Sequence, residues 1–183
     1  MALGATIYTF DIELADSDRA VYTTLNLRVA QHPSETPDYL FTRVLAYCLE
    51  YAEGIAFSKG LSDPDEPAIA VRDLTGALQV WVDIGLPEPE RLHRASKAAP
   101  RVAVYTHKDP EQWAARLAAA KIHRADKLAV FAFDRAWLAQ LVACLERRMQ
   151  FALARSEGEI YVTVGDQTTQ TVLVRPADPA GRN

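Results

Sequence analysis

Two acidic side chains, Glu66 and Asp83, stand where carboxylates could take part in chemistry. Asp83 ends the strongly apolar segment VWVDIG, and the preceding segment Asp73–Gly76 has Asp and Gly at the outer positions of a type I turn. If this turn joins two antiparallel strands, Arg72 pairs with Ala77 and Glu66 pairs with Asp83. Carboxylates placed directly opposite each other lie about 5 Å apart at Cβ and repel unless a proton or a cation separates them.

This predicted pair of acids favours a divalent metal ion. Mg²⁺ and Mn²⁺ prefer carboxylate and water oxygens as ligands. Such an ion polarises a phosphoryl oxygen and lowers the pKa of a bound water. The pair therefore predicts a metal-dependent phosphodiesterase with Glu66 and Asp83 as metal ligands. The alternative is structural: Glu66 ends the polar loop SDPDEP, and Asp83 caps the helix that follows its strand.

Motifs of other hydrolases and of cofactor-dependent enzymes are absent from the sequence. It contains no HExxH, CxxC, GxGxxG, GxxxxGK[ST] or GxSxG segment, and its four histidines are scattered. These absences argue against a zinc hydrolase, a Rossmann oxidoreductase, a P-loop NTPase and a serine hydrolase. We expect no organic cofactor.

The composition indicates a cytoplasmic globular protein. The 183 residues are 49% apolar and 24% charged, with a net charge of −4, which argues against a broad basic face for nucleic acid but leaves room for a local groove. The longest apolar stretch, 128–133, is far too short for a membrane span, and the N-terminus lacks the basic start of a signal peptide. Cys48 and Cys144 lie in apolar helical patterns, as free thiols of a reducing cytoplasm do.

Periodicity and turn residues predict an α/β fold built on one mixed sheet. Residues 5–14 and 20–30 alternate as a hairpin, and Thr36 followed by Pro37 starts a helix over 37–53. The remaining elements include a βαβ crossover and a C-terminal meander that extends the sheet. The predicted strands are 55–57, 68–71, 77–82, 101–105, 127–133, 147–155, 158–164 and 169–175. The predicted helices are 88–98, 111–120 and 134–146. We expect a single domain over residues 1–176 and a disordered tail over residues 177–183.

Three ordered segments resemble the YaeQ family: HPSET at 32–36, FSKGLSDPDEP at 57–67 and WVDIGLPEPERLHRAS at 81–96. The resemblance extends over nearly the whole chain. It implies a divergent version of the PD-(D/E)XK nuclease core, with helices and strands in the order αβββαβ.

This resemblance also implies roles for individual residues. Glu66 falls at the first strand acid of the nuclease pattern, and Asp83 falls at the acid of its (D/E)xK step. Gly85 stands at the lysine position, so another basic residue would have to stabilise developing negative charge. Arg94 and Lys59 are the candidates, because both fall where relatives commonly carry a basic residue.

Each of the other candidate site residues also has a purely structural explanation. An acid on the first helix completes the site in related nucleases, and Glu53 matches the family better than Glu50, but both are equally explained as solvated charges at a helix end. Arg94 is otherwise an i,i+4 partner of Glu90, and Lys59 is otherwise a loop charge.

Two functions from different classes remain open. The first is a Mg²⁺- or Mn²⁺-dependent phosphodiesterase that acts on nucleic acid through a local groove. The second is a non-catalytic interaction module, which kept the fold, lost the chemistry and binds a protein partner. His32 and Glu35 at the entry to the first helix are expected to be structural, and Trp81, Trp113 and Trp137 are expected in the core.

Overall fold

The computed structural model describes residues 4–58, 63 and 65–176, so the predicted tail 177–183 lies outside the described residues. Within these residues, ten strands and four α-helices follow each other. The strands are β1 (Thr6–Asp16), β2 (Val21–Gln31), β3 (Ile55–Phe57), β4 (Ile69–Arg72), β5 (Leu78–Ile84), β6 (Arg101–Thr106), β7 (Leu128–Ala132), β8 (Arg148–Ser156), β9 (Glu159–Val164) and β10 (Gln167–Val172). The helices are α1 (Pro37–Leu49), α2 (Pro89–Ala98), α3 (Glu111–Ala119) and α4 (Arg135–Ala143).

The strands form two mixed sheets, which corrects the expectation of one extended sheet. One sheet has the order β10-β9-β8-β1-β2, and the other has the order β3-β4-β5-β6-β7. The hairpin joins the meander through a parallel pairing of β1 with β8. The apolar side of the hairpin, including Phe10 and Ile12, shares a core with Val82 and Ile84 of the second sheet and with α1. Because both sheets pack on α1, the hairpin covers this helix instead of lengthening the second sheet.

Helix α1 begins where the sequence predicts and ends four residues earlier. Thr36 caps it by accepting a hydrogen bond from the backbone N–H of Tyr39 at 3.2 Å, and Pro37 takes the first helical position. At the other end, the Arg19 guanidinium donates to the carbonyl oxygens of Cys48 and Tyr51. These donations help to satisfy carbonyl oxygens at and just beyond the helix end at Leu49, where the helical hydrogen-bond pattern stops.

The two faces of β5 contribute to different hydrophobic cores. Trp81 belongs to the core beneath α2, whereas Val82 and Ile84 belong to the core beneath α1. Strand β5 pairs in parallel with β6, and α2 connects them. All three tryptophans, Trp81, Trp113 and Trp137, are buried core residues, which confirms their expected role.

The register between β4 and β5 differs from the predicted one by two residues. The turn Asp73–Gly76 forms as predicted, with the Gly76 N–H donating to the Asp73 carbonyl at 2.9 Å. However, the Asp73 N–H donates to the Ala77 carbonyl, so Arg72 pairs with Leu78 instead of Ala77. A bulge between Val71 and Arg72 adds a second residue to the shift, and Ile69 pairs with Val82. Strand β4 starts at Ile69, so Glu66 lies in the loop before it and does not face Asp83 across the sheet.

The two cysteines occupy different environments. Cys48 is fully buried in α1, and burial raises the pKa of its thiol to about 12. The prediction that Cys144 lies within an apolar helical pattern is wrong: α4 ends at Ala143, so Cys144 is the exposed residue that follows the helix. The predicted helix had continued to residue 146 and had placed this side chain on its apolar face.

We expect Cys144 to react quickly with a thiol reagent in the native protein, and Cys48 to react only after unfolding. The thiolate is the reactive form, and the buried Cys48 thiol does not ionise near neutral pH. Titration with a chromogenic disulfide reagent, with and without denaturant, measures this difference. The Cys144→Ser variant should lose the fast phase completely, and a remaining fast phase would contradict the placement of Cys48.

The four α-helices of the described ranges include none with the length and apolar character of a membrane-spanning segment.

Candidate functional site

A cleft of about 540 Å³ lies at the carboxyl ends of β5 and β6, where parallel sheets commonly place their ligands. Its walls come from the loop before α1, the first turns of α1, the loop before β4, the start of α2 and the residues after β6. The side chains that matter below are Glu35, Tyr39, Arg43, Glu66, Asp83, Arg91, His107 and Lys108.

Asp83 forms a two-pronged ion pair with Arg91 at one wall of this cleft. The Arg91 Nε donates to one carboxylate oxygen at 2.7 Å, and Nη2 donates to the other at 2.8 Å. The Asp83 side chain is 4% exposed and the Arg91 side chain 24% exposed. The guanidinium also lies 5.4 Å from the centre of the Trp81 ring. These contacts fix the orientation of Arg91, and the hydrogen bonds to Asp83 raise the pKa of the guanidinium.

The same guanidinium reaches the loop before β4. Its Nη2 donates to the carbonyl oxygen of Glu66 at 2.7 Å, and Nη1 donates to the carbonyl oxygen of Asp63 at 3.3 Å. The positive charge between the Asp83 carboxylate and the Glu66 segment therefore belongs to Arg91. Sequence reasoning missed this residue, although a buried strand-end carboxylate requires a cation and Arg91 lies in the first turn of the next helix.

The structure brings some of the predicted site residues together and separates others. Glu66, Asp83 and Gly85 all line the cleft. Arg94 is exposed on α2 outside the cleft lining, and neither Arg94 nor Glu90 makes an ion pair with another described residue. Lys59 lies outside the described residues.

The two acids considered on the first helix lie at its far end. Helix α1 starts at the cleft, and thirteen residues correspond to a length of about 20 Å. Glu53 is exposed beyond that end. Glu50 is buried and accepts hydrogen bonds from the Arg101 guanidinium at 2.7 Å and from the Tyr105 hydroxyl at 2.8 Å. Glu50 is therefore a structural anchor between α1 and β6, and neither acid lines the cleft.

A second ion pair, Glu35 with Arg43, forms another wall of the cleft. The Arg43 Nη2 donates to a Glu35 carboxylate oxygen at 3.2 Å and to the Ala30 carbonyl at 2.8 Å. Both side chains are more than nine-tenths buried, and the other Glu35 oxygen has no partner among the described residues. Burial raises the pKa of Glu35, although the nearby Arg43 opposes this shift. His32 is structural, as expected, because its Nδ1 bonds to the hydroxyl of Ser34.

Tyr39 and His107 lie between the two ion pairs. Burial raises the pKa of Tyr39, whose hydroxyl therefore stays a hydrogen-bond donor near neutral pH. The His107 ring packs edge-on against Tyr39, and its buried Nδ1 has no partner among the described atoms. Burial, followed by the charge of Lys108, lowers the pKa of His107. The cleft thus combines neutral hydrogen-bonding groups with two internally paired arginines.

A divalent metal would need several oxygen ligands in this cleft. Both oxygens of Asp83 are already bonded to Arg91, and no group of three acidic, histidine or cysteine side chains within the described ranges is arranged to hold an ion. The Glu66 carboxylate is exposed at the cleft. The oxygens of Asp83 and the carbonyl of Glu66 are arranged around a guanidinium. Mg²⁺ would need near-octahedral coordination by oxygen instead.

The YaeQ family model matches residues 1–173. The chain belongs to the YaeQ family. It is 32% identical to the uncharacterised YaeQ protein of Escherichia coli strain K12 over 166 residues, which cover 89% of this chain and 91% of that protein. The uncharacterised YaeQ protein of Salmonella typhi is 32% identical over 165 residues, with the same coverage of both chains.

Solved YaeQ structures have the same fold. The crystal structure of the YaeQ protein from Pseudomonas syringae superposes with a TM-score of 0.86 at 30% identity, covering 92% of this chain and 94% of that one. The YaeQ protein from Xanthomonas axonopodis pv. citri gives a TM-score of 0.84 at 30% identity, covering 94% and 99%.

The three segments that suggested the YaeQ family converge on the cleft. The segment 32–36 supplies Glu35, the segment 57–67 supplies Glu66, and the segment 81–96 supplies Asp83 and Arg91. These segments lie far apart in sequence, and the fold brings them to one side of the molecule. The cleft is accordingly the best-supported candidate for a functional site.

Proposed function

We propose that this YaeQ protein is a binding module whose cleft accepts a small polar ligand with an anionic group, without hydrolysing it. The observation that carries the proposal is the position of Arg91, which bonds both oxygens of Asp83 and the carbonyl of Glu66. The guanidinium takes the place between these groups that a catalytic metal ion would need. The volume of about 540 Å³ is that of a small-molecule site.

The remaining polar groups of the cleft support the anionic character of the ligand. The Tyr39 hydroxyl is a donor near neutral pH. Lys108 is exposed at the cleft and makes no ion pair with any other described residue. A nucleic-acid strand is a poorer fit, because it carries many phosphates, whereas Arg43 and Arg91 are committed to carboxylates and Lys108 alone among the described cations of the cleft is left for a single anionic group.

A second candidate is a nuclease-like, Mg²⁺- or Mn²⁺-dependent phosphodiesterase with Glu66 and Asp83 as metal ligands. It is favoured by the location of both acids in one cleft. It requires Arg91 to leave Asp83, after which the guanidinium would neutralise a phosphoryl oxygen. In this second candidate function, Lys59 is kept as the basic group that stabilises developing negative charge. Arg94 and Glu53 would have to act from outside the cleft lining.

Bis(p-nitrophenyl) phosphate is a suitable probe because it carries an anionic phosphodiester and releases a coloured product on hydrolysis. We expect it to shift backbone amide NMR signals around Lys108 and Gly85, with no release of p-nitrophenolate in the presence or absence of Mn²⁺. The Lys108→Ala variant should weaken binding several-fold, whereas Lys97→Ala, an exposed lysine on α2, should not. The absence of any shift at the cleft would refute the binding proposal.

Thermal melts with Mn²⁺ separate the two candidates. The binding module predicts the same melting temperature with and without Mn²⁺ in the wild type and in Glu66→Gln. The phosphodiesterase predicts a stabilisation of about 2.7 kcal/mol at a hundredfold excess of Mn²⁺ over its dissociation constant, which Glu66→Gln should remove. The matched control is Glu90→Gln, which removes an exposed carboxylate outside the cleft.

A further inference from the structure

The edge strand β2 is long, regular and paired on one side only. Its 11 residues pair with β1 without interruption, and no other strand of the described chain pairs with its outer edge. Only near its end is an outward group engaged within the described chain, where the Ala30 carbonyl accepts a hydrogen bond from the Arg43 guanidinium at 2.8 Å. The other sheet edges are shorter or partly covered: β3 has 3 residues, β10 has 6, and Val174 bridges to Ala132 of β7. Exposed edges are commonly protected by charged residues, above all lysine, by proline or by a bulge; β2 has no lysine, proline or bulge, and Arg28 is its one charged residue.

We propose that two copies of this chain pair antiparallel through β2, in a register centred on Asn26. A two-fold axis at this position places Asn26 opposite itself, Thr24 opposite Arg28 of the second copy, and Tyr22 opposite Ala30 of the second copy. The pairing continues each five-stranded sheet into a ten-stranded one. It is independent of the ligand proposed for the cleft.

The outer face of the sheet is apolar where the ends of this pairing meet. Tyr22 is 66% exposed and Ile7 is 36% exposed, and these are two of the few large apolar side chains at the surface. Ile7 pairs with Ala30 within one chain. In the proposed register, Tyr22 of the second copy lies beside Ala30 on the same face and extends the apolar row that Ile7 begins.

The charges of the outer face match in the same register. Arg28 is the one charged residue of β2, and Glu13 pairs with Thr24 within one chain. In the proposed register, Arg28 lies opposite Thr24 of the second copy, and Glu13 of that copy lies one strand further. The Cα atoms of Arg28 and Glu13 are then two strand spacings, or about 10 Å, apart. The two long side chains can meet across this distance. Both residues are exposed, and neither makes an ion pair within the described part of the chain. A register centred on Arg28 would instead oppose two guanidinium groups.

Sedimentation velocity tests the pairing through a charge reversal. The wild type should sediment as a dimer that dissociates on dilution. Arg28→Glu should give a monomer, because it sets like charges against Glu13 of the second copy, and the double variant Glu13→Arg/Arg28→Glu should restore the dimer. Lys97→Glu, an exposed lysine on α2, is the control with the same charge change and should stay dimeric. A monomeric mass for the wild type at the highest concentration that stays soluble overturns the proposal and leaves the edge for a strand of a different protein.

Cysteine cross-linking tests the register. In a Cys144→Ser background, oxidation should join two chains of Asn26→Cys through a disulfide, whereas Arg28→Cys alone should not cross-link, because its opposite residue is Thr24. A mixture of Thr24→Cys and Arg28→Cys chains should cross-link, which keeps the test available if Asn26→Cys folds poorly. Efficient cross-linking of Arg28→Cys with itself would overturn the proposed register.

Discussion

The Asp83→Asn substitution should lower the free energy of unfolding by about 2–3 kcal/mol. Removing one partner of a buried ion pair commonly costs about 3–5 kcal/mol. The expected cost is smaller here because Arg91 is 24% exposed and keeps its hydrogen bonds to the carbonyls of Glu66 and Asp63. The sign is diagnostic: if Asp83 instead faced another carboxylate without a cation, the same substitution would raise stability.

Arg91→Met should cost more, about 3–4 kcal/mol, since it leaves the almost fully buried Asp83 carboxylate without a cation. The double variant Asp83→Asn/Arg91→Met should be more stable than the sum of the two single effects predicts, because the two groups act as one unit. Urea denaturation of the four proteins measures the coupling. The controls are Glu90→Gln and Arg94→Met, which change exposed residues of the same helix and should each stay within about 0.5 kcal/mol of the wild type. A neutral or stabilising Asp83→Asn would contradict the ion pair.

Local signals in the sequence were sufficient for the elements that hold the cleft. The start of α1 depends on Thr36 and Pro37, and the faces of β5 depend on the alternation of Trp81 and Val82. Each of these features is decided by residues within one turn of helix or one strand. The YaeQ assignment could also be made from three short segments, which supply residues of the cleft.

The features that could not be predicted depend on contacts between distant parts of the chain. The parallel pairing of β1 with β8 joins residues about 140 positions apart, and no turn pattern specifies it. The turn after Arg72 and the bulge beside it each shift the register by one residue, and the total shift of two keeps every side chain on its face and therefore leaves no trace in the hydrophobic pattern. Because of this shift, Glu66 does not lie opposite Asp83 in the sheet. The Asp83 carboxylate pairs with Arg91 instead.

The Gly54→Ala substitution should destabilise the protein by about 3–4 kcal/mol. Gly54 joins α1 to β3 with a φ of +85°, and a Cβ atom at this position would lie 1.9 Å from the carbonyl oxygen of Arg72. The left-handed conformation alone costs a residue with a side chain about 1–2 kcal/mol. Backbone rearrangement to relieve the overlap adds about 1–3 kcal/mol, because the Gly54 carbonyl also accepts a hydrogen bond from the Arg72 N–H.

Gly85→Ala is the matched control, since Gly85 has a φ of +90° but, apart from its two chain neighbours, no atom of the described residues lies within 4 Å of an added Cβ. We expect it to cost about 1–2 kcal/mol, the conformational part alone, so that thermal or urea denaturation of both variants separates strain from overlap. The same comparison explains why a lysine fits poorly at the position after Ile84. The chain turns there in the left-handed region while the Gly85 N–H donates to the Tyr105 carbonyl at 2.8 Å, and any side chain would strain the cleft wall. Equal losses of stability in the two variants would show that contact with Arg72 does not determine the need for glycine at position 54.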